Sequence, residues 1–165
     1  PLNGDKKMNL MNKFFTKIVL LAAIMGSSSA QAETLKCKLY ISESTKETSA
    51  LVTPPKSGVS LSAIRYSGVC VFTNGRIAEK QFVIINRIIG DGNTGTFLGY
   101  SVYSFKNDDS ISVQFTGGWG ANGVNGDYKI ISGTGAYSNA KGDGNFVRTG
   151  GSETTSFLDV TLNLE

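Results

Sequence analysis

Histidine is absent from this sequence, and cysteine, proline and tryptophan are scarce: the 165 residues include no His, two Cys, three Pro and one Trp. Without histidine, acid–base or triad chemistry that depends on an imidazole is excluded. Two cysteines also fall short of the four Cys or His ligands of a structural zinc site. We therefore expect no metal site, and no motif in the chain predicts a cofactor.

Long apolar runs are absent as well. Residues 1–10 resemble a tag or an extension, and residues 11–32 have the organisation of a secretory signal peptide: lysines, an apolar run at 18–25, and Ala30-Gln31-Ala32 as a cleavage site. The run is shorter than the about 20 residues that span a bilayer. We expect cleavage after Ala32, export to the periplasm or the exterior, and no membrane span in the mature chain. A buried N-terminal helix is the alternative interpretation.

Excess charge of either sign is missing from residues 33–165. Four of the 16 basic residues and one of the 13 acidic residues lie before residue 33, so twelve of each remain. A nucleic-acid-binding domain carries a basic patch. We expect no nucleic-acid partner, and the length predicts a single domain at 33–165.

The two cysteines, Cys37 and Cys70, both lie in the part predicted to be exported. Oxidising compartments allow disulfides to form and persist. We predict that the two residues are bonded to each other. Two buried free thiols are the alternative, because cysteine is also a small core residue.

Alternation of apolar and polar residues dominates after residue 55. Ser110–Thr116 and Thr155–Leu164 alternate as half-buried strands do, with Phe157 as an exception. Phe82–Ile85 is apolar on both faces, which predicts a core on one side and another layer or subunit on the other. Residues 43–55 are rich in Ser, Thr, Lys and Glu and predict an exposed loop. No segment after the leader has a convincing helical period.

Eight or so short strands joined by tight turns predict an all-β fold, a barrel or a sandwich. Fifteen of the 18 glycines that follow residue 32 lie between Gly90 and Gly151. Glycines within strands mark the bends by which a sheet curls and closes. We therefore predict an antiparallel barrel of about eight strands in preference to a sandwich.

The stretch Gly126–Phe146 holds two glycine pairs, Gly133/Gly135 and Gly142/Gly144, and resembles a phosphate-binding loop. A dinucleotide fingerprint requires a third glycine and a following helix. Ser138 stands where that third glycine belongs, and Gly142 and Gly144 interrupt any helix. The phosphate interpretation is rejected, and the glycines are assigned to turns around Tyr137.

The segment YKIISGTGAYSNAKGDG, Tyr128–Gly144, resembles the glycine-rich signature of the allene oxide cyclase and dirigent-like β-barrel superfamily. In that signature one strand ends in a glycine turn, an aromatic residue plugs the barrel, and a second glycine turn starts the next strand. Ser132 departs from it, because the family often has glycine there. The resemblance is confined mainly to the part of the chain after about Gly117.

This resemblance implies an eight-stranded barrel with an apolar axial cavity, commonly assembled as a homotrimer. Plant cyclases of the family cyclise a fatty-acid epoxide without a cofactor, using cavity shape, a carboxylate and bound water. Dirigent proteins guide phenoxy-radical coupling or related ring closures. No catalytic residue is transferred to this chain, because no position outside the glycine motif matches.

Strand parity suggests candidate ligand-binding residues. Arg87 shares a face with Val83 and Ile85, and Tyr100 shares one with Leu98 and Val102, so a cation and a phenol on apolar faces are predicted to orient a ligand inside the barrel. Three weaker candidates are Tyr103, Arg65 and Glu79. Trp119, in a glycine-rich turn region, is predicted to line the cavity mouth, with capping of the core as the alternative. The alternative roles are a snorkelling or interfacial arginine and core aromatics.

The leading functional hypothesis is an exported barrel that binds a small apolar or phenolic molecule without transforming it. One alternative is a cofactor-free cyclase or isomerase of the allene oxide cyclase or dirigent type. Another is a non-catalytic scaffold for surface interactions. The cavity decides among them: converging polar groups favour the enzyme, an apolar lining favours binding, and a filled interior favours the scaffold.

Overall fold

The computed structural model describes residues 32–42, 49–52, 58–152 and 155–165. The predicted extension at 1–10 lies outside the described residues, and so does the predicted signal peptide at 11–32 apart from Ala32. Within the described residues, no helix is long and apolar enough to cross a membrane.

Nine β-strands make up almost all of the described chain, in a single antiparallel sheet. They are β1 (Glu33–Ser42), β2 (Ser49–Val52), β3 (Val59–Phe72), β4 (Ile77–Ile89), β5 (Thr94–Ser104), β6 (Ser110–Gly120), β7 (Gly123–Thr134), β8 (Gly142–Gly151) and β9 (Thr155–Leu164). The order β1-β9-β8-β7-β6-β5-β4-β3 is closed by pairing of β1 with β3. The predicted eight-stranded antiparallel barrel is confirmed, with β2 as an additional short strand.

The short strand β2 corrects one expectation. Residues 43–55 were expected to form a loop, but Ser49–Val52 pairs antiparallel with Leu61–Ala63 of β3. Local composition predicted a loop because Ser, Thr and Lys dominate there, whereas the long β3 offers an edge on which a neighbouring segment can pair. The other residues of that predicted loop lie outside the described ranges.

The strands β1 and β3 that close the barrel are also covalently linked. Cys37 and Cys70 form a disulfide with a Cα–Cα distance of 5.7 Å, and both side chains are buried. Leu39 lies directly opposite Cys70 in the same ladder. The predicted pairing of the two cysteines is thus confirmed, and the bond lies at the closing seam.

Glycines on the inner face of the barrel lie directly opposite aromatic residues on the neighbouring strand. The pairs are Gly95 with Trp119, Gly99 with Phe115, Gly117 with Phe97, and Gly126 with Phe146. A Cβ atom at Gly99 would lie 2.1 Å from the Phe115 ring, and one at Gly95 would lie 2.2 Å from the Trp119 ring. These rings therefore fit into the interior only because the opposite residue has no side chain.

One end of the barrel is closed by aromatic rings. Phe105 packs against Phe72 at a centroid distance of 5.4 Å and against Tyr137 at 5.3 Å. The Arg76 guanidinium lies over both the Phe105 and Tyr137 rings and donates a hydrogen bond to the Tyr137 hydroxyl. Such cation–π contacts stabilise the ring cluster in addition to its burial. We call this the closed end of the barrel.

The glycine motif shapes the connection next to Tyr137. The strand β7 ends at Thr134, a short 3₁₀ turn covers Gly135–Tyr137, and β8 begins at Gly142. Gly135 has φ +58° and Gly142 has φ +130°, and at both positions an L side chain would be strained. Gly133 and Gly144 instead lie close to backbone oxygens. A Cβ atom at either position would lie 2.2 Å from such an oxygen.

We predict that Gly142→Ala destabilises the protein by more than the ~1 kcal/mol of an ordinary glycine replacement. Its positive φ is unfavourable for alanine, and the added Cβ would lie 2.0 Å from the Asn163 carbonyl oxygen. Urea unfolding measures the difference. Gly120→Ala is the matched control, because a Cβ there meets only Thr94 at an ordinary 3.6 Å. Equal stability of the two variants would contradict the assigned role of Gly142.

Candidate functional site

The barrel interior contains a cavity of about 210 Å³, nearer the end opposite the closed end. Its wall is mostly aliphatic and aromatic. The lining residues are Leu39, Ile41, Tyr66, Lys80, Phe82, Ile84, Asn86, Phe97, Phe115, Trp119, Val124, Tyr128, Phe146, Arg148, Ser156 and Leu158. The side chains of the barrel therefore do not fill its interior completely.

The mouth of the cavity carries most of its polar groups. The Trp119 indole N–H donates to the Gly92 carbonyl oxygen at 2.9 Å, which fixes the ring beside the loop between β4 and β5. Trp119 also stacks nearly parallel to Phe97. Arg148 donates to the carbonyl oxygen of Gly150 at 3.2 Å, so its guanidinium lies at the rim.

The cavity floor carries a buried lysine. Lys80 points inward from β4, directly opposite Tyr103 on β5, and is only 3% exposed. Its amine donates to the Tyr128 hydroxyl at 2.7 Å. The nitrogen also lies 4.7–5.6 Å from the centroids of four rings, those of Phe82, Tyr103, Phe115 and Tyr128.

The protonation of Lys80 is governed by burial. Removal from water disfavours the ammonium form and lowers the pKa of Lys80 from 10.5 to about 7. No carboxylate is among the described residues that line the cavity, so no anion within this part of the chain compensates the effect. Near neutral pH the amine is therefore present in both its neutral and its charged form.

Two tyrosines continue the polar cluster beneath the lysine. The Tyr103 hydroxyl donates to the Tyr128 hydroxyl at 3.1 Å, and both side chains are buried. Burial raises the pKa of both phenols, so each remains protonated at neutral pH. The floor thus presents one amine and one phenol to an otherwise apolar space.

Two of the six residues predicted to bind ligand lie inside the barrel. Trp119 lines the cavity at its mouth, and Tyr103 is fully buried below Lys80. Tyr103 contacts the cavity through Tyr128 and does not line it. Whether either residue binds a ligand stays a prediction.

The other four predicted residues, Arg65, Glu79, Arg87 and Tyr100, lie on the outer face, so their predicted inward orientation is wrong. The shared parity of Arg87 with Val83 and Ile85 was correct, but that whole face of β4 points outward. On β4 the inner face instead carries Ala78, Lys80, Phe82 and Ile84. Because both faces of this strand are apolar, alternation alone selected the wrong one.

Sequence reasoning missed Lys80 and Tyr128, although a signal for each was present. Lys80 is in phase with Ala78 and Phe82, two of the residues that face the core. Tyr128 begins the glycine-rich segment and lies opposite Gly144. A lysine in phase with core residues is a better indicator of an unusual site than an arginine in phase with exposed ones.

Metal ligands are not clustered in this site. Among the described residues, no group of three or more Cys, Asp or Glu side chains is arranged to hold a metal ion. The polar side chains that line the cavity are an amine, phenols and hydrogen-bonding groups at the rim.

Two solved structures are similar to this chain in fold. A pterocarpan synthase dirigent protein superimposes with a TM-score of 0.57 and 9% identity, over 86% of this chain and 94% of that one. A DUF3224-family protein of unknown function from Shewanella oneidensis MR-1 gives 0.55 and 11%, over 82% and 98%. No known protein-family profile and no curated protein sequence matches the chain. The chain thus has a dirigent-like barrel fold, and at these identities the likeness establishes no activity.

We predict that Lys80→Met makes the unfolding free energy less dependent on pH. The folded pKa of about 7 lies below the unfolded value of 10.5, so between these pH values the unfolded chain binds more protons. Stability of the native protein therefore rises with pH in this window, by up to about 1.4 kcal/mol per pH unit from this group, and the penalty is fully present below pH 7.

Chemical unfolding at about pH 7 and about pH 9 measures this slope. We expect Lys80→Met to flatten it and to be more stable than the native protein at the lower pH. Lys129→Met is the control, because Lys129 is an exposed lysine on β7 next to Tyr128. An unchanged slope in Lys80→Met would refute the assignment of a depressed pKa to Lys80.

Proposed function

We propose that the barrel binds a small apolar or phenolic molecule in its interior cavity. The observation that carries this proposal is an open cavity of about 210 Å³ lined by seven aromatic side chains, Tyr66, Phe82, Phe97, Phe115, Trp119, Tyr128 and Phe146. An engineered apolar cavity of about 150 Å³ holds benzene. A single aromatic ring with a short substituent is therefore the size class of ligand that we propose.

A cofactor-free cyclase or isomerase of the dirigent or allene oxide cyclase type is the second candidate. The amine of Lys80 and the hydroxyl of Tyr128, 2.7 Å apart on the cavity floor, favour it. An amine that is partly neutral at neutral pH accepts a proton, and a phenol donates one. Conversion of a bound molecule would support this candidate, whereas recovery of the molecule unchanged would support binding alone.

We also propose that the protein is exported and assembles as a homotrimer. The signal-peptide pattern at 11–32 and the Cys37–Cys70 disulfide support export. An apolar patch on the outer face of β4 and β5 supports assembly, because Val83 lies opposite Tyr100 and Ile85 lies opposite Leu98 with all four side chains exposed. On this proposal, Tyr100 and its neighbours serve the subunit interface and not the ligand.

Binding is tested with hydrocinnamyl alcohol and para-propylphenol by calorimetry and thermal shift. We expect dissociation constants in the micromolar range. Ile84→Trp fills the cavity and should weaken binding about tenfold or more, because Ile84 lines the cavity wall. Ile77→Trp, on the outer face of the same strand and outside the apolar patch, should leave binding unchanged. No thermal shift with either probe would contradict the proposed function.

Assembly is tested by light scattering coupled to size-exclusion chromatography. We expect a trimer for the native protein and a monomer for Tyr100→Glu, because a carboxylate in the centre of the apolar patch would be desolvated on assembly. Tyr40→Glu is the matched control, since Tyr40 on β1 is about as exposed as Tyr100, 48% against 53%. A monomeric native protein would show that the patch has another use.

A further inference from the structure

The side chains on the cavity floor indicate which chemical class of ligand the barrel binds. This inference rests on the proposed binding function. Among the residues that the structure describes, Lys80 is the only basic side chain on the floor, and Arg148 is the other cation of the lining, at the rim. The titratable or charged groups that face Lys80 or the shared cavity from the surrounding described strands are Tyr66 of β3, Tyr103 of β5, Tyr128 of β7 and Arg148 of β8. No carboxylate is among them.

A buried ammonium without an anionic partner is costly, and an anion delivered by a ligand removes that cost. The four rings around the Lys80 nitrogen offset part of it through their faces. The Tyr128 oxygen accepts one of the three N–H donors of the charged amine, and the ring faces supply no acceptor for the other two. Among the described residues around the floor, an anionic partner for Lys80 is therefore missing, and a bound ligand could supply it.

The hydrogen-bond directions on the floor define two donors. The Tyr128 oxygen accepts from Lys80 at 2.7 Å and from Tyr103 at 3.1 Å. Its own O–H proton is thus left for a third partner while Lys80 is charged. An ammonium and a phenol side by side match the two oxygens of a carboxylate, and charge-assisted hydrogen bonds of this kind are the strong ones.

We propose that Lys80 and Tyr128 form an anion subsite that binds the carboxylate of a small aromatic acid, with the ring of the acid in the aromatic part of the cavity. Binding then stabilises the ammonium form of Lys80. Since the free amine has a pKa of about 7, the protein takes up a proton when the acid binds at a higher pH.

The test compares hydrocinnamate with hydrocinnamyl alcohol, which differ in the carboxylate. Calorimetry in buffers of different ionisation enthalpy measures proton uptake on the native protein. At about pH 8 we expect uptake of about one proton with the acid and none with the alcohol. Above about pH 7 the affinity for the acid should fall by up to tenfold per pH unit, while the affinity for the alcohol stays constant.

Variants separate the subsite from the cavity. Lys80→Met should abolish proton uptake and weaken hydrocinnamate about tenfold or more, while it still binds the alcohol. Tyr128→Phe keeps the ring and should weaken the acid more than the alcohol. Because native proton uptake is measured without any substitution, the proposal remains testable if a variant does not fold.

The possible outcomes test the anion subsite and the proposed binding function separately. If the alcohol binds but the acid does not, or the acid binds without proton uptake, the subsite proposal is overturned and the binding function stands. If neither molecule binds, both are overturned. Proton uptake that persists in Lys80→Met would place the titrating group elsewhere and overturn the assignment to Lys80.

Discussion

The interior width of an eight-stranded barrel is the constraint on which this structure depends. Such a barrel holds either its own side chains or one small ligand, so a large ring on one strand requires a small residue on the next. Gly99 opposite Phe115 and Gly117 opposite Phe97 meet this requirement. The same pairs place the rings against the wall, and space for a cavity remains between them.

The buried lysine depends on the same arrangement. Lys80 extends into a layer where Phe82, Phe115 and Tyr128 surround its nitrogen with ring faces. A smaller set of side chains would admit water and restore the ordinary pKa of the amine, whereas a tighter set would leave no path for a ligand. The aromatic packing that shapes the cavity therefore also determines the chemistry of the amine on its floor.

The fold was predictable from local signals, but the inward or outward orientation of most site residues was not. Alternation at Ser110–Thr116 and the concentration of glycines after Gly90 were sufficient for an antiparallel barrel, because they report strand period and curvature directly. The facing of Lys80 depends on which side of β4 turns inward, which is set by its register with β3 and β5. Residues with apolar neighbours on both faces, such as Arg87, carry no local signal that resolves this choice.

The neighbouring positions of the first and last barrel strands have a topological consequence. Glu33 of β1 lies opposite Leu164 of β9, at the closed end of the barrel and away from the cavity mouth. The strand ladder is therefore a ring with no preferred starting point. In a variant without residues 1–32, a few added residues would connect Glu165 to Glu33, and a cut between β4 and β5 would then give a circular permutant with every strand register preserved.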